Sequence, residues 1–308
     1  MEVITESDGS RMYMAGKDGE DVFVQSYPVF SGIELIYNNV HIEKCGIFEY
    51  RDKNHKNIFE INHCREGRLE YSAKGEYAYL SPGDISIHKR MDEQNECYFP
   101  SSHYHGVSVR IDVDEAPKCL SCFLNDVNVE PKLLMDKFCA GDKVFVARSN
   151  AHLEHIFSEL YSIPEEVKKG YFKIKVLEIL LFLSCMKPEA GSQRKKYSAS
   201  QVALAKEAGQ YLMQHMDEKI TIDSLAEIFH VSSTQMKNCF KGVYGVSVYN
   251  FIRTQKMQSA AVMLKNSDKT ILEIANMYGY DNGSKFASAF RATIGQTPNE
   301  YRQVSLEI

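Results

Sequence analysis

Short apolar runs separated by turn residues fill the segment 33–114. Runs in which apolar and polar residues partly alternate occupy 58–64, 68–72, 77–80, 84–88 and 107–111. Glycine and proline interrupt them, most clearly in Ser81-Pro82-Gly83-Asp84. Several short strands at a spacing of about ten residues are typical of a β-sandwich or a small barrel. The pattern therefore predicts a strand-rich N-terminal domain.

The pattern changes to helical spacing between Asn150 and Met186. Leu153, Ile156 and Phe157 fall on one face of a first helix, and Pro164 separates it from a second. The second helix, near 171–183, is apolar around most of its circumference and must be buried on more than one side. Packing within its own chain and packing against a partner subunit both satisfy that requirement. Residues 190–196 are small, polar and basic, which predicts a linker.

From residue 198 to about residue 303 the chain is predicted to be all helix, with an internal repeat. Four positions recur 49 residues later: Thr221, Leu225, Ala226 and Val231 return as Thr270, Ile274, Ala275 and Tyr280. Six more recur 50 residues later: Met236, Phe240, Lys241, Gly245, Ser247 and Phe251 return as Phe286, Phe290, Arg291, Gly295, Thr297 and Tyr301. Two copies of one supersecondary unit explain this pattern.

Helix-capping residues divide each copy into two helices. Thr221, Ser232 and Ser247 can each begin a helix in the first copy, and Thr270, Asn282 and Thr297 can do so in the second. Glycine at 245 and at 295 marks a helix end. A short helix, a short turn and a second helix form a helix-turn-helix, which we predict at about 221–245 and again at about 270–295.

The second helix of each copy presents a face suited to the DNA major groove. Its buried side is set by Met236 and Phe240 in one copy and by Phe286 and Phe290 in the other. The opposite side is rich in hydroxyls, amides and cations that can contact base edges or phosphates. The predicted DNA-binding residues are Ser232, Ser233, Thr234, Lys237, Asn238, Lys241, Asn282, Gly283, Ser284, Lys285, Ser288 and Arg291.

The duplicated unit resembles the DNA-binding domain of the AraC/XylS family. The resemblance rests on Tyr278-Gly279-Tyr280, Phe290-Arg291, Gly295, Thr297-Pro298 and Tyr301-Arg302. It implies two recognition helices that enter successive major grooves on one face of the DNA, about 34 Å apart. Asn238 and Ser288 depart from the family pattern, in which many members carry arginine, so the resemblance does not predict the operator sequence.

The N-terminal strands resemble, more loosely, the cupin-like sensor domain of many such regulators, through Gly67, Leu80, Pro82-Gly83-Asp84 and Tyr104-His105-Gly106. The resemblance implies a small effector-binding barrel followed by helices that form a homodimer. The predicted fold is α+β multidomain, with a cupin-like β-barrel and flanking helices before an all-α domain. The predicted boundaries are 1–145 for the sensor, 146–190 for a helical dimerisation and linker region, and 191–308 for DNA binding. His63 and His88, on predicted strands, are weak candidates for the effector site.

Composition and charge agree with this organisation. The 308 residues, 44% hydrophobic and 25% charged, allow two or three globular domains and exclude a single small module. Residues 187–308 carry a net charge of +4 and residues 1–186 a net charge of −9, the asymmetry expected when one half binds a polyanion. No apolar run is long enough to cross a membrane. The N-terminus lacks the basic and apolar pattern of a signal peptide, so we expect a cytoplasmic protein.

Cysteine and histidine spacing gives little support for a metal site or an enzyme. The eight cysteines are scattered, and we interpret the closest pair, Cys119 and Cys122, as ordinary thiols. His103 and His105 form the HxH pair of a metal-binding cupin, but no glutamate follows between Gly106 and Asp114. We therefore predict no metal, no cofactor and no catalytic residues.

These features together predict a sequence-specific transcription regulator. Its expected partners are double-stranded DNA, a second copy of the chain, RNA polymerase if it is an activator, and a small-molecule effector. The family's usual behaviour favours activation. Two alternatives stay open: a metal-binding or catalytic cupin tethered to DNA, and a ligand-independent regulator controlled by a partner protein.

Overall fold

The computed structural model describes residues 2–16, 21–46, 57–89, 96–120, 128–141, 143–188 and 193–306. The chain divides into two compact units, Met1–Lys196 and Tyr197–Ile308. Cys122 and residues 190–192 of the predicted linker lie outside the described residues. The predicted domain boundaries at 145/146 and 190/191 stay predictions.

Antiparallel strands make up most of the first unit. They are β1 (Glu2–Thr5), β2 (Arg11–Ala15), β3 (Val22–Phe30), β4 (Ile33–Val40), β5 (Lys44–Gly46), β6 (Ile58–Gly67), β7 (Leu69–Ala73), β8 (Glu76–Leu80), β9 (Asp84–Lys89), β10 (Glu96–Tyr98), β11 (Tyr104–Asp112) and β12 (Phe145–Arg148). Eight strands form one sheet in the order β1-β2-β3-β4-β11-β6-β9-β12, and β8-β7-β10-β5 form a second. The strands predicted between 33 and 114 are confirmed. Closure into a barrel stays a prediction.

The central strands of the large sheet are buried on both faces. Cys64 of β6 and Tyr104 of β11 face a core shared with Leu69 and Leu80 of the second sheet. Other side chains of the same strands, such as Val109, face a separate apolar core on the helical side. Because both faces exclude water, several of these strands lack a clean alternation of apolar and polar residues.

Three helices cover the second face of the large sheet. They are α1 (Pro131–Phe138), α2 (Ala151–Glu159) and α3 (Lys168–Cys185), with a 3₁₀ turn at Glu165–Val167. The Asn150 side chain accepts from the backbone N–H of Leu153 and begins α2. The prediction of two helices separated near Pro164 is confirmed. Phe172 and Ile179 of α3 are buried in the core of the first unit, so α3 packs within its own chain, while Ile174 on the same helix is 63% exposed.

The second unit begins with the two-residue strand β13 (Tyr197–Ser198) and is otherwise helical. Its helices are α4 (Ala199–Gln214), α5 (Ile222–Ile228), α6 (Ser233–Tyr244), α7 (Val248–Asn266), α8 (Ile271–Met277), α9 (Gly283–Ile294) and α10 (Pro298–Leu306). The pairs α5–α6 and α8–α9 are the two predicted helix-turn-helix copies. Among the described residues of the whole chain, no helix is both long enough and apolar enough to cross a membrane.

The predicted caps begin and end these helices. Thr221 and Thr270 each form a reciprocal capping box, with Ser224 and Glu273 respectively. Gly245 and Gly295 adopt φ values of +77° and +90° at the ends of α6 and α9, where a left-handed residue closes the helix. These matching caps confirm that the repeat in the sequence is a repeat in the structure.

The turn within each copy contains a residue with a positive φ. His230 has φ +54° in the first copy, and Gly279, 49 residues later, has φ +74° in the second. A side chain in this conformation is strained and glycine is not, since glycine lacks Cβ. The backbone bend is therefore common to both copies, although the residue that adopts it differs.

Candidate nucleic-acid interface

The helices α6 and α9 expose the predicted DNA-binding side chains. Ten of the twelve residues are exposed and two, Ser233 and Gly283, are partly buried. The exposed residues are Ser232, Thr234, Lys237, Asn238, Lys241, Asn282, Ser284, Lys285, Ser288 and Arg291. The structure thus places each predicted set on the solvent side of one helix or at its start.

Core packing fixes which face of each helix is exposed. Met236 and Phe240 on α6 and Phe286 and Phe290 on α9 have an exposed fraction of 0%. The ring of Phe240 lies 4.6 Å from that of Tyr244, measured between centroids. Because side chains three and four positions apart share a helix face, anchoring these residues turns the polar set outward.

Three predicted contact residues make hydrogen bonds at the helix starts. The Ser232 hydroxyl accepts from the backbone N–H of Gln235 at 3.1 Å, and Asn282 Oδ1 accepts from the backbone N–H of Ser284 at 2.8 Å. The Ser233 hydroxyl donates to Asp223 Oδ1 at 2.6 Å. These hydrogen bonds fix the first turns of α6 and α9. The remaining backbone N–H groups there have no partner within the helix and favour binding of an anion such as a phosphate.

The exposed faces are cationic and free of acidic residues. No aspartate or glutamate occurs within Ser233–Tyr244 or within Gly283–Ile294. The cations are Lys237 and Lys241 on α6 and Lys285 and Arg291 on α9. Gln235, also exposed on α6, was missed by the sequence analysis, although its position three residues before Asn238 puts it on the same face.

The two histidines predicted as weak effector candidates face opposite sides of the large sheet. His63 on β6 stacks on Phe157 with ring centroids 4.4 Å apart, and its Nε2 lies 3.1 Å from Glu154 Oε2. His88 on β9 approaches Tyr71 of the second sheet, with ring centroids 4.7 Å apart. Burial lowers the pKa of both imidazoles. The two residues therefore do not form one pocket.

A shallow cleft in the first unit lies elsewhere. Its lining includes Tyr71, Tyr77, Lys143 and Lys196, and neither His63 nor His88 contributes to it. The Lys196 ammonium pairs there with the Glu76 carboxylate at 2.8 Å. The cleft is thus separate from the two histidines.

Among the described residues, one cluster of side chains has the composition of a metal site. His41, His103 and His105 bring one ring nitrogen each within 4.8 Å of the others. Burial, together with the neighbouring His103, lowers the pKa of His41 and of His105. Neutral imidazoles, which can act as ligands, are therefore favoured at these two positions.

Comparison with known proteins identifies the duplicated helical unit. Residues 225–304 match a family model described as a helix-turn-helix domain. The bifunctional transcriptional activator/DNA repair enzyme AdaA of Bacillus subtilis is 33% identical over 96 residues, which cover 31% of this chain and 46% of AdaA. The transposon Tn10 TetD protein of Escherichia coli is 31% identical over 96 residues, covering 31% of this chain and 70% of TetD.

A solved structure also matches about a third of the chain. The C-terminal domain of AraT, a response regulator from Geobacillus stearothermophilus, is 31% identical and covers 33% of this chain and 84% of that domain, with a TM-score of 0.32. The chain spans 46% of AdaA and 33% of the transcriptional regulator Rob of Salmonella typhimurium. The family model lies within the second unit. With the motifs from Tyr278 to Arg302, the family model and the match to TetD show that the chain belongs to the AraC/XylS family of transcription regulators.

Proposed function

We propose that this chain binds double-stranded DNA through α6 and α9 and regulates transcription from the sites that it occupies. The observation that carries the proposal is the duplication itself. Two helices in equivalent positions of a repeat each combine a buried apolar face with an exposed, cationic face that lacks carboxylates. A helix surface that only faces solvent has no physical reason to carry cations and lack carboxylates in both copies.

Each recognition helix contributes two kinds of contact. Lys237 and Lys241 on α6, and Lys285 and Arg291 on α9, supply charge for phosphates and donors for guanine. Asn238 can pair with an adenine edge, while Ser284 and Ser288 present hydroxyls to either a base or a phosphate. The capped starts at Ser232 and Asn282 orient backbone N–H groups toward the DNA backbone.

The first unit supplies regulation in this proposal. It receives a small-molecule or other signal, and the chain acts as a homodimer in the cytoplasm without catalytic activity. As an activator it contacts RNA polymerase when bound upstream of a promoter. The exposed apolar side chains Val167 and Ile174, at 52% and 63% exposure, support an interface near α3.

Footprinting of the purified full-length chain tests DNA binding directly. We expect protection of two sites about one helical turn apart per subunit, on its own upstream DNA or on a sequence selected from random oligonucleotides. Raising the salt concentration should weaken the protection steeply, since phosphate contacts release counterions. Failure to protect or select any sequence at low salt would contradict the proposal.

Substitutions on α6 should separate phosphate contacts from base contacts. Lys241→Ala is expected to weaken binding to all sequences alike and to reduce the salt slope by about 1. Asn238→Ala should instead cost about 1–3 kcal/mol at one base position and leave other positions unchanged. Lys219→Ala, an exposed lysine outside the two helices, is the charge-matched control. Equal losses on every sequence from Lys241→Ala and Asn238→Ala would show that the face is wrongly assigned.

A further inference from the structure

Four side chains from three separate parts of the chain meet at one end of the large sheet. His41 follows β4, Glu66 lies near the end of β6, and His103 and His105 flank Tyr104 at the start of β11. The strand β11 lies between β4 and β6, and Tyr104 pairs with Val40 on one side and with Gly67 on the other. The sheet register therefore brings the three strand ends, and the side chains on them, together.

One ring nitrogen of each histidine lies within 4.8 Å of the others, and the Glu66 carboxylate lies beside two of the rings. His41 Nδ1 lies 3.3 Å from His103 Nδ1, and His41 Nε2 lies 3.4 Å from His105 Nε2. Glu66 Oε2 is 3.4 Å from His103 Nε2 and 3.7 Å from His105 Nδ1. Two ligand atoms bound to one tetrahedral zinc ion at about 2.0–2.1 Å are themselves about 3.4 Å apart, which matches each of these histidine pairs taken separately. His103 and His105 each turn the nitrogen that does not face His41 toward Glu66, so this carboxylate lies behind the two rings.

We propose that His41, His103 and His105 bind one divalent transition-metal ion and that Glu66 orients two of these rings through their other nitrogens. Three imidazoles suit zinc, cobalt or nickel, whereas magnesium and calcium prefer sites built from oxygen ligands. The cluster is open to solvent, with 35% of the His103 side chain and 29% of the His105 side chain exposed. An ion can therefore enter without unfolding the sheet.

Backbone contacts hold the ligands in place. The His41 N–H donates to the carbonyl of Asp21 at 2.7 Å, and the His103 carbonyl accepts from the Arg68 N–H at 3.2 Å. The Ser101 hydroxyl donates to the same His103 carbonyl at 3.0 Å. Because the backbone is positioned in advance, binding requires only side-chain rotation, which lowers the entropic cost.

Metal titration of the full-length chain, prepared without a histidine tag and stripped with a chelator, tests the proposal. We expect one Co²⁺ per chain, with the visible absorption of a nitrogen- and oxygen-bound ion. Zn²⁺ should displace it and excess Mg²⁺ should not. Substoichiometric binding without a defined spectrum would overturn the proposal.

Substitutions at these positions test whether these residues bind the ion. Glu66→Gln should raise the Kd for Zn²⁺ by about 10- to 100-fold, the usual cost of losing an outer-shell partner. His103→Ala should raise it by at least about 100-fold, because it removes a direct ligand. His155→Ala, an exposed histidine of α2 paired with a glutamate, should leave the Kd unchanged. Thermal melting without metal checks the folding of each variant. Glu66 is 52% exposed, so Glu66→Gln should still fold and stay informative if the histidine variant unfolds. An unchanged Kd in Glu66→Gln and in each folded histidine variant would refute the assignment.

Discussion

Substitution of Gly67 by alanine is expected to destabilise the first unit strongly. Gly67 has φ +81°, and a Cβ built on it would lie 1.9 Å from the His103 carbonyl oxygen and 2.5 Å from the carbonyl carbon. The left-handed conformation costs an alanine about 1–2 kcal/mol, and relieving an overpacked contact costs about 1–3 kcal/mol more. The obstacle is backbone, so no side-chain rotation can relieve it. Thermal unfolding of the full-length chain measures the loss.

Gly75→Ala is the matched control for this experiment. Gly75 has φ +80°, close to that of Gly67, but no atom lies within 4 Å of a Cβ built on it. The control should therefore show only the conformational cost of about 1–2 kcal/mol. The difference between the two variants isolates the close approach of β6 to the His103 backbone. Equal destabilisation by both substitutions would mean that the His103 backbone moves away from a Cβ at position 67 at no cost in stability.

Phe240→Ala is expected to unfold the second unit or to lower its stability by about 3–5 kcal/mol, the cost of removing a buried aromatic side chain. Phe240 has an exposed fraction of 0% and lies 4.6 Å from the Tyr244 ring and 5.3 Å from the Phe251 ring, measured between centroids. Its loss removes the anchor that sets the orientation of α6. The helical circular dichroism signal on heating reports stability, and DNA affinity should fall with it.

The repeat supplies a second test of the same expectation. Phe290, 50 residues after Phe240, is equally buried and packs against Phe286 and Tyr301. Phe290→Ala should therefore cost a similar amount. Val262→Ala, 59% exposed on α7, should change stability by less than about 0.5 kcal/mol. A small effect of Phe240→Ala, comparable to that of Val262→Ala, would contradict the packing that orients α6.

The helices of the second unit were predictable because their signals are local. Thr221, Ser247 and Thr270 each bond to a backbone group three residues later, and the closing glycines follow within the same helix-turn-helix copy. Such contacts lie within one turn of a helix, so the order of residues alone specifies them. The repeat strengthened the prediction, because each copy tests the interpretation of the other.

The strands of the first unit were only partly predictable. The strands β1, β2 and β3 fall before residue 33 and were not among the predicted strands. In β12, Phe145 and Ala147 join one core, while Val146 and Val144, the residue just before the strand, join the other. Side chains buried on alternate faces leave no polar alternation in the sequence. Whether such a segment forms a strand depends on the strands that pair with it, and these often lie far away in the sequence.

The sequence alone determined the family, the duplicated helix-turn-helix and the polar faces of α6 and α9, because helix periodicity and caps are encoded within a few neighbouring residues. Only the tertiary structure decided that α3 is buried in its own chain and that His63 and His88 face opposite sides of a sheet. The tertiary structure alone also places His41 and Glu66 next to His103 and His105. These arrangements depend on the order and register of strands that are distant along the chain, and local sequence does not specify that order.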